Sequence, residues 1–111
     1  MTLIVVHEWT GDLDDTLRLG LDGHTLASTV PTSFVRVVVR PGPHRLSFEW
    51  ASGSEEVEVR GEPGTVVFVG LKGQQWLSAV SYSAVTDDQI ALRKQALKAR
   101  LVADLNLVGP S

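Results

Sequence analysis

Apolar positions in the first 85 residues fall in short runs parted by Gly, Pro and Asp, and in several runs they alternate with polar ones. That spacing is the mark of an all-β sandwich or barrel. Residues 2–9 make a first apolar strand. Leu17, Leu19 and Leu21 alternate with Arg18 and Gly20, giving a second strand one buried face. Asp22-Gly23 then predicts a two-residue hairpin turn, because both central positions of such a turn want φ > 0. Residues 24–30 form the return strand, and Pro31 ends it by withholding a donor. Phe34, Val35, Val37, Val38 and Val39 read as a central strand. After the Pro41-Gly42-Pro43 turn, Leu46, Phe48 and Trp50 point one way and Arg45, Ser47 and Glu49 the other. Val57 and Val59, among Glu56, Glu58 and Arg60, make a half-exposed strand. Residues 66–71 read as a buried strand, Gly70-Leu71-Lys72-Gly73 as a turn, and residues 76–85 as the last strand.

The period then changes. Thr86-Asp87-Asp88-Gln89 fits a capping box, with Thr86 as the N-cap and Gln89 returning the bond. Good helix formers run from Ile90 to about Leu105, and Gly109-Pro110 supplies a stop. On a helical wheel Ile90, Leu97, Leu101 and Leu105 share the side expected to dock on the sheet. Leu92, Ala96, Ala99 and Ala103 lie nearly opposite. That second stripe is either the plain helix propensity of Ala or a face for another helix. The expected architecture is one mainly-β domain: a β-sandwich of about seven strands over residues 1–85, immunoglobulin- or prealbumin-like, with one helix over residues 86–108 packed on it.

A chain of 111 residues with 43% hydrophobic and 21% charged residues is an ordinary single globular domain. The net charge of -3 leaves no global basic field to hold nucleic acid. The absence of Cys removes disulfides and thiolate chemistry. No Lys or Arg precedes Arg18 and the first apolar run stops at His7, so no secretory signal is read and the expected compartment is the cytoplasm. No apolar stretch approaches the length of a membrane helix.

Three stretches carry a resemblance: Leu19-Gly20-Leu21-Asp22-Gly23-His24; residues 39–48, with Pro41-Gly42-Pro43-His44; and residues 62–69, with Pro63-Gly64 before an apolar strand. Together they resemble the small bacterial PEGA-type β-sandwich modules, and most of all the related lipoprotein-borne domain of unknown function with a prealbumin-like fold. The resemblance covers roughly residues 15–71. It implies a surface or scaffold module without catalytic residues. The lipidated Cys of lipoprotein-borne relatives has no counterpart here.

The chemistry available is sparse. His7, His24 and His44 stand at no metal-ligand spacing from one another, and His44 is expected to close a turn by a hydrogen bond. Gly11, Asp12, Asp14 and Asp15 form an acidic loop that lacks the distal Glu of a calcium loop. Glu49, Glu55, Glu56 and Glu58 are expected on a solvated face that discourages edge pairing rather than as a glycosidase pair. Of the three tryptophans, Trp50 shares the core face of its strand, while Trp9 and Trp76 lie near strand ends, where exposure would let them stack on sugars or anchor a protein.

These readings predict a non-enzymatic interaction or structural module that uses no cofactor or metal and engages a protein partner. A homodimer through the second helix stripe or an unpaired sheet edge is one form of that partnership. The predicted contact residues are Trp9, Trp76, Leu92, Ala96, Ala99 and Ala103. The alternatives are a carbohydrate-binding module using exposed Trp and, further off, a small hydrolase or metal-binding protein.

Overall fold

The computed structural model describes residues 1–8, 16–76 and 79–108; of residues 75, 76 and 79 only the backbone is described. The strands are β1 (Thr2–His7), β2 (Leu17–Leu21), β3 (His24–Thr29), β4 (Ser33–Val38), β5 (Gly42–Trp50), β6 (Gly53–Gly61), β7 (Val66–Trp76), β8 (Ala79–Val85) and β9 (Arg100–Asn106). One helix, α1 (Gln89–Lys98), stands between β8 and β9. Two sheets face each other: a five-stranded one ordered β8-β7-β1-β4-β9 and a four-stranded one ordered β3-β2-β5-β6. The protein is thus a mainly-β sandwich with a helix near its C-terminus.

The inward residues of each alternating strand make the core. Leu3, Val5, Val35, Val37, Val69 and Leu71 from one sheet meet Leu17, Leu19, Leu21, Leu46 and Phe48 from the other, all essentially without exposure. The Asp22-Gly23 hairpin forms as its residues dictate, with φ of 51° and 85°. Trp50 stacks on Phe48 with centroids 6.2 Å apart and tilts against Tyr82 at 5.4 Å, so this indole belongs to the core edge.

Three local readings are corrected. Gly70-Leu71-Lys72-Gly73 is no turn: it lies inside β7, where Gly70 pairs with Val6 and Val85. The N-cap is Asp88, whose Oδ1 accepts from Ala91 N–H at 3.1 Å, and not Thr86. The helix stops at Lys98, and residues 100–106 form β9, parallel to β4. Among the described residues nine strands therefore replace about seven.

The width of the sheet explains the short helix. β8 and β9 run in the same direction at opposite edges of one sheet, so the chain must cross that sheet between them. Four inter-strand spacings come to about 19 Å. Ten helical residues cover about 15 Å, and the bend at residues 86–88 supplies the rest. A helix continued to Leu105 would overshoot the sheet.

The docked face of α1 is also the reverse of the one its leucines suggest. Leu92 and Ala96 are 2% and 7% exposed, whereas Ile90 and Leu97 are 73% and 77% exposed. Leu92 seats over Gly70: a Cβ built there would lie 2.5 Å from Leu92 Cδ2. Gln89 fixes the helix start by bonding the backbone of Phe68.

Candidate functional site

Sheet edges decide what this molecule offers to a partner. An outer strand presents backbone donors and acceptors on which another chain can build, unless side chains obstruct it. The outer strands here are β3, β6, β8 and β9. β6 carries Glu55, Glu56, Glu58 and Arg60, all exposed, as expected of a carboxylate-rich face. Glu56 reaches Arg45 at 3.1 Å and Glu58 reaches Arg60 at 3.7 Å. β8 is obstructed at Val80, whose carbonyl accepts from Trp50 Nε1–H at 3.1 Å and from Ser52 Oγ–H at 3.5 Å.

β7 extends past the end of β8, and there the side-chain amide of Gln89 stands in for a strand. Its Oε1 accepts from Phe68 N–H at 2.8 Å, and its Nε2 donates to Phe68 O at 2.7 Å and to Thr86 O at 2.7 Å. β3 pairs with β2 through an irregular register at Leu19/Gly20 and exposes His24, Thr25 and Ser28.

β9 is different. Its register with β4 slips once, between Leu101 and Ala103, which leaves Val102 as the extra residue; from Ala103 to Asn106 the ladder is regular. Ala103 and Leu105, opposite Val35 and Val37, pack against the core. Asp104, opposite Arg36, accepts from its guanidinium at 2.9 Å on the outer face. Leu101, Val102, Leu107 and Val108 are 40–46% exposed. No Lys or Pro guards the strand; Arg100 and Asp104 are its charged residues.

Thr32 sets the start of β9. It donates its N–H to His7 O at 2.8 Å and accepts at its carbonyl from Arg100 N–H at 3.0 Å. It does so at φ 64°, a conformation that costs a β-branched residue about 1–2 kcal/mol. A cleft of about 250 Å³ opens beside it, between the end of α1 and β1, with Glu8, Gln95 and Lys98 on its walls.

The predicted site residues are not gathered in one place. Leu92 and Ala96 face the sheet, so they are spent on intramolecular packing and offer nothing to a second helix. Ala99 is the C-cap in extended conformation, and Ala103 is a strand residue packed on the core. The stripe therefore does not exist as a helical surface. Trp9 lies outside the described residues, as do Gly11, Asp12, Asp14 and Asp15 of the acidic loop. Trp76 ends β7 opposite Ala79.

Two of the three histidines, His7 and His44, are tied into the fold, and His24 is exposed on β3. His7 is 1% exposed, edge-on to Tyr82 at 5.7 Å, with Nδ1 3.2 Å from Thr29 Oγ1. The same hydroxyl lies 3.4 Å from Leu17 O, to which it donates. His44 closes the Asp22-Gly23 hairpin onto β5: Nδ1 lies 2.5 Å from Asp22 Oδ2 and Nε2 lies 2.7 Å from Arg40 O. Burial works against the charged ring, but the Asp22 carboxylate and the Arg40 carbonyl outweigh it and hold His44 above its ordinary value. The Arg45 N–H, at 2.8 Å, and then His44 hold the Asp22 carboxyl below its own. Among the described residues no three His, Asp or Glu side chains are grouped to hold a metal.

Sequence reasoning missed Val102, Leu107 and Val108. The signal was present, since Ala103, Leu105 and Leu107 alternate with Asp104 and Asn106 at the period of a strand. Comparison with known protein families, with curated proteins and with solved structures finds no match to this chain.

Proposed function

We propose that this chain is a non-enzymatic protein-interaction module whose docking surface is the outer edge of β9. One observation carries the reading. β3 exposes the polar His24, Thr25 and Ser28, β6 is lined by carboxylates and β8 is engaged by side-chain hydrogen bonds, while β9 and the two residues after it present Leu101, Val102, Leu107 and Val108 with little charge. Strand addition to such an edge draws affinity from backbone hydrogen bonds and specificity from alternate side chains. The placement of His7 and His44 supports a non-catalytic role. His7 is consumed by the core, and both ring nitrogens of His44 are engaged in holding a hairpin.

The test is site-specific photocrosslinking of the intact chain in cells that express it, with the probe at Val102 or, as control, at Ser83 on β8. A discrete adduct at Val102 that is missing from Ser83 is the expected result. No adduct, or equal labelling at both positions, overturns the reading.

A further inference from the structure

We infer that the occupant of the β9 edge is a second copy of this chain, paired antiparallel about a two-fold axis at Leu105; the inference rests on the β9 reading above. Residues 102–108 read Val-Ala-Asp-Leu-Asn-Leu-Val. Reversed, the segment keeps its chemical pattern. A two-fold axis through Leu105 sets Ala103 against Leu107, Asp104 against Asn106, and Leu105 against itself, and brings Val102 to the bend at Leu107–Val108, where Val108 N–H is held by Asn106 Oδ1. A heterologous partner makes no such demand on the sequence, whereas an isologous interface requires the surface to complement itself.

Side-chain placement agrees with this register. Opposed residues of an antiparallel pair share a face of the sheet. Ala103 and Leu105 turn toward the core, so the inner face of the joint receives only Ala and Leu. Asp104 lies on the outer face with one carboxylate oxygen on Arg36. The second copy sets Asn106, whose Oδ1 accepts from Val108 N–H at 3.0 Å, opposite that carboxylate, so no like charges oppose each other. The same operation on β6 would set carboxylates among carboxylates.

The backbone also fits. Leu107 donates its N–H to Val38 O at 2.8 Å. Successive residues of a strand direct their amides to opposite sides, so Leu105 spends its backbone groups on β4 and Asp104 turns its own toward the open edge. Leu105 then meets Leu105 of the second copy as a non-hydrogen-bonded pair, the closer kind, at a Cα separation of about 4.5 Å. The two five-stranded sheets become one continuous sheet. The extra residue at Val102 sits outside the centre of the joint.

The absence of Cys makes a clean test. Leu105→Cys is expected to give a disulfide-linked dimer on mild oxidation, since the pair lies within disulfide reach. Asp104→Cys and Asn106→Cys are each expected to cross-link poorly alone and well when mixed. In sedimentation the parent is expected to be a dimer. Asp104→Pro removes an outward N–H that the β4 ladder does not use and should weaken dimerisation about tenfold or more. Asp104→Ala loses the same contact to Arg36 but keeps the N–H, and should remain dimeric. Val102→Lys serves should the proline variant fail to melt cooperatively, and it should weaken the dimer likewise.

A parent that is monomeric at high micromolar concentration overturns the inference. So does a dimer unmoved by Asp104→Pro and Val102→Lys, or cross-linking as ready at 104 alone as at 105. If that monomer's Val102 probe still captures another protein, the second copy is wrong and the interaction reading stands. If it captures nothing, both fall.

Discussion

Leu92 of α1 sits in the space of the side chain that Gly70 lacks, and this contact yields a sharp expectation. Leu92 is 2% exposed over Gly70, the register neighbour of Val6, which is itself 1% exposed. Truncating Leu92 to Ala removes buried apolar surface and leaves a cavity, at a cost of about 2–4 kcal/mol. Gly70→Ala acts on the other side of the same contact. The new Cβ would sit 2.5 Å from Leu92 Cδ2 and 2.8 Å from Glu8 Oε2, so something must shift, at about 1–3 kcal/mol for overpacking.

Combined, the two changes should cost less than their sum, because the space vacated by Leu92 accepts the added methyl. The expected coupling is about 1–2 kcal/mol, beyond the ~0.5 within which independent sites add. It stays incomplete, since Glu8 still crowds the new methyl. Urea unfolding of parent, singles and double, read from midpoints and slopes, measures it. Leu97→Ala is the control: at 77% exposure it should change stability by no more than about 0.5 kcal/mol. Additivity of Gly70→Ala and Leu92→Ala would refute the seating of the helix. A Leu97→Ala as costly as Leu92→Ala would mean that the helix docks by its other face.

Three further outcomes are expected. The Asp22–His44 pair makes stability depend on pH with a definite sign. The raised His44 contributes fully below its unfolded value of 6.5 and loses that contribution as pH rises through its folded value; the lowered Asp22 contributes above 3.8 and loses its share as pH falls through its folded value. Melting temperature scanned against pH should therefore show a pair-dependent maximum between these values that flattens in His44→Asn. Gln89→Ala deletes the stand-in strand at Phe68 and should cost about 1–2 kcal/mol, with amide exchange at Phe68 accelerated more than at Val69. Thr29→Val, at a fully buried site, strips the hydroxyl that joins His7 to Leu17 O and should cost about 1–3 kcal/mol in denaturant unfolding.

Most of the sandwich is legible in the order of residues alone. Alternation in residues 17–21, 46–50 and 57–60 chose the buried faces, and Asp22-Gly23 chose a hairpin, because period and turn chemistry act over a few residues. That order also placed His44 as a turn-closing group, since Pro41-Gly42-Pro43 delivers that ring beside the start of a strand. What it left undecided lies where distant elements compete. Residues 100–105 form helix readily by propensity, yet they become β9 because β4 has an open edge and the bend at residues 86–88 plus ten helical residues already cross the sheet. Gly70 resembles a turn residue until Leu92, 22 positions later, is seen to need the space of its missing side chain. Ile90 and Leu97 of α1 point outward because a short crossover is oriented by its ends, at Gln89 on Phe68 and at Thr32 on Arg100, and not by the stripe the helical wheel favours. Local pattern fixes which residues can be strand; only the assembled sheet fixes which strand is left at the edge, and so where a partner can add.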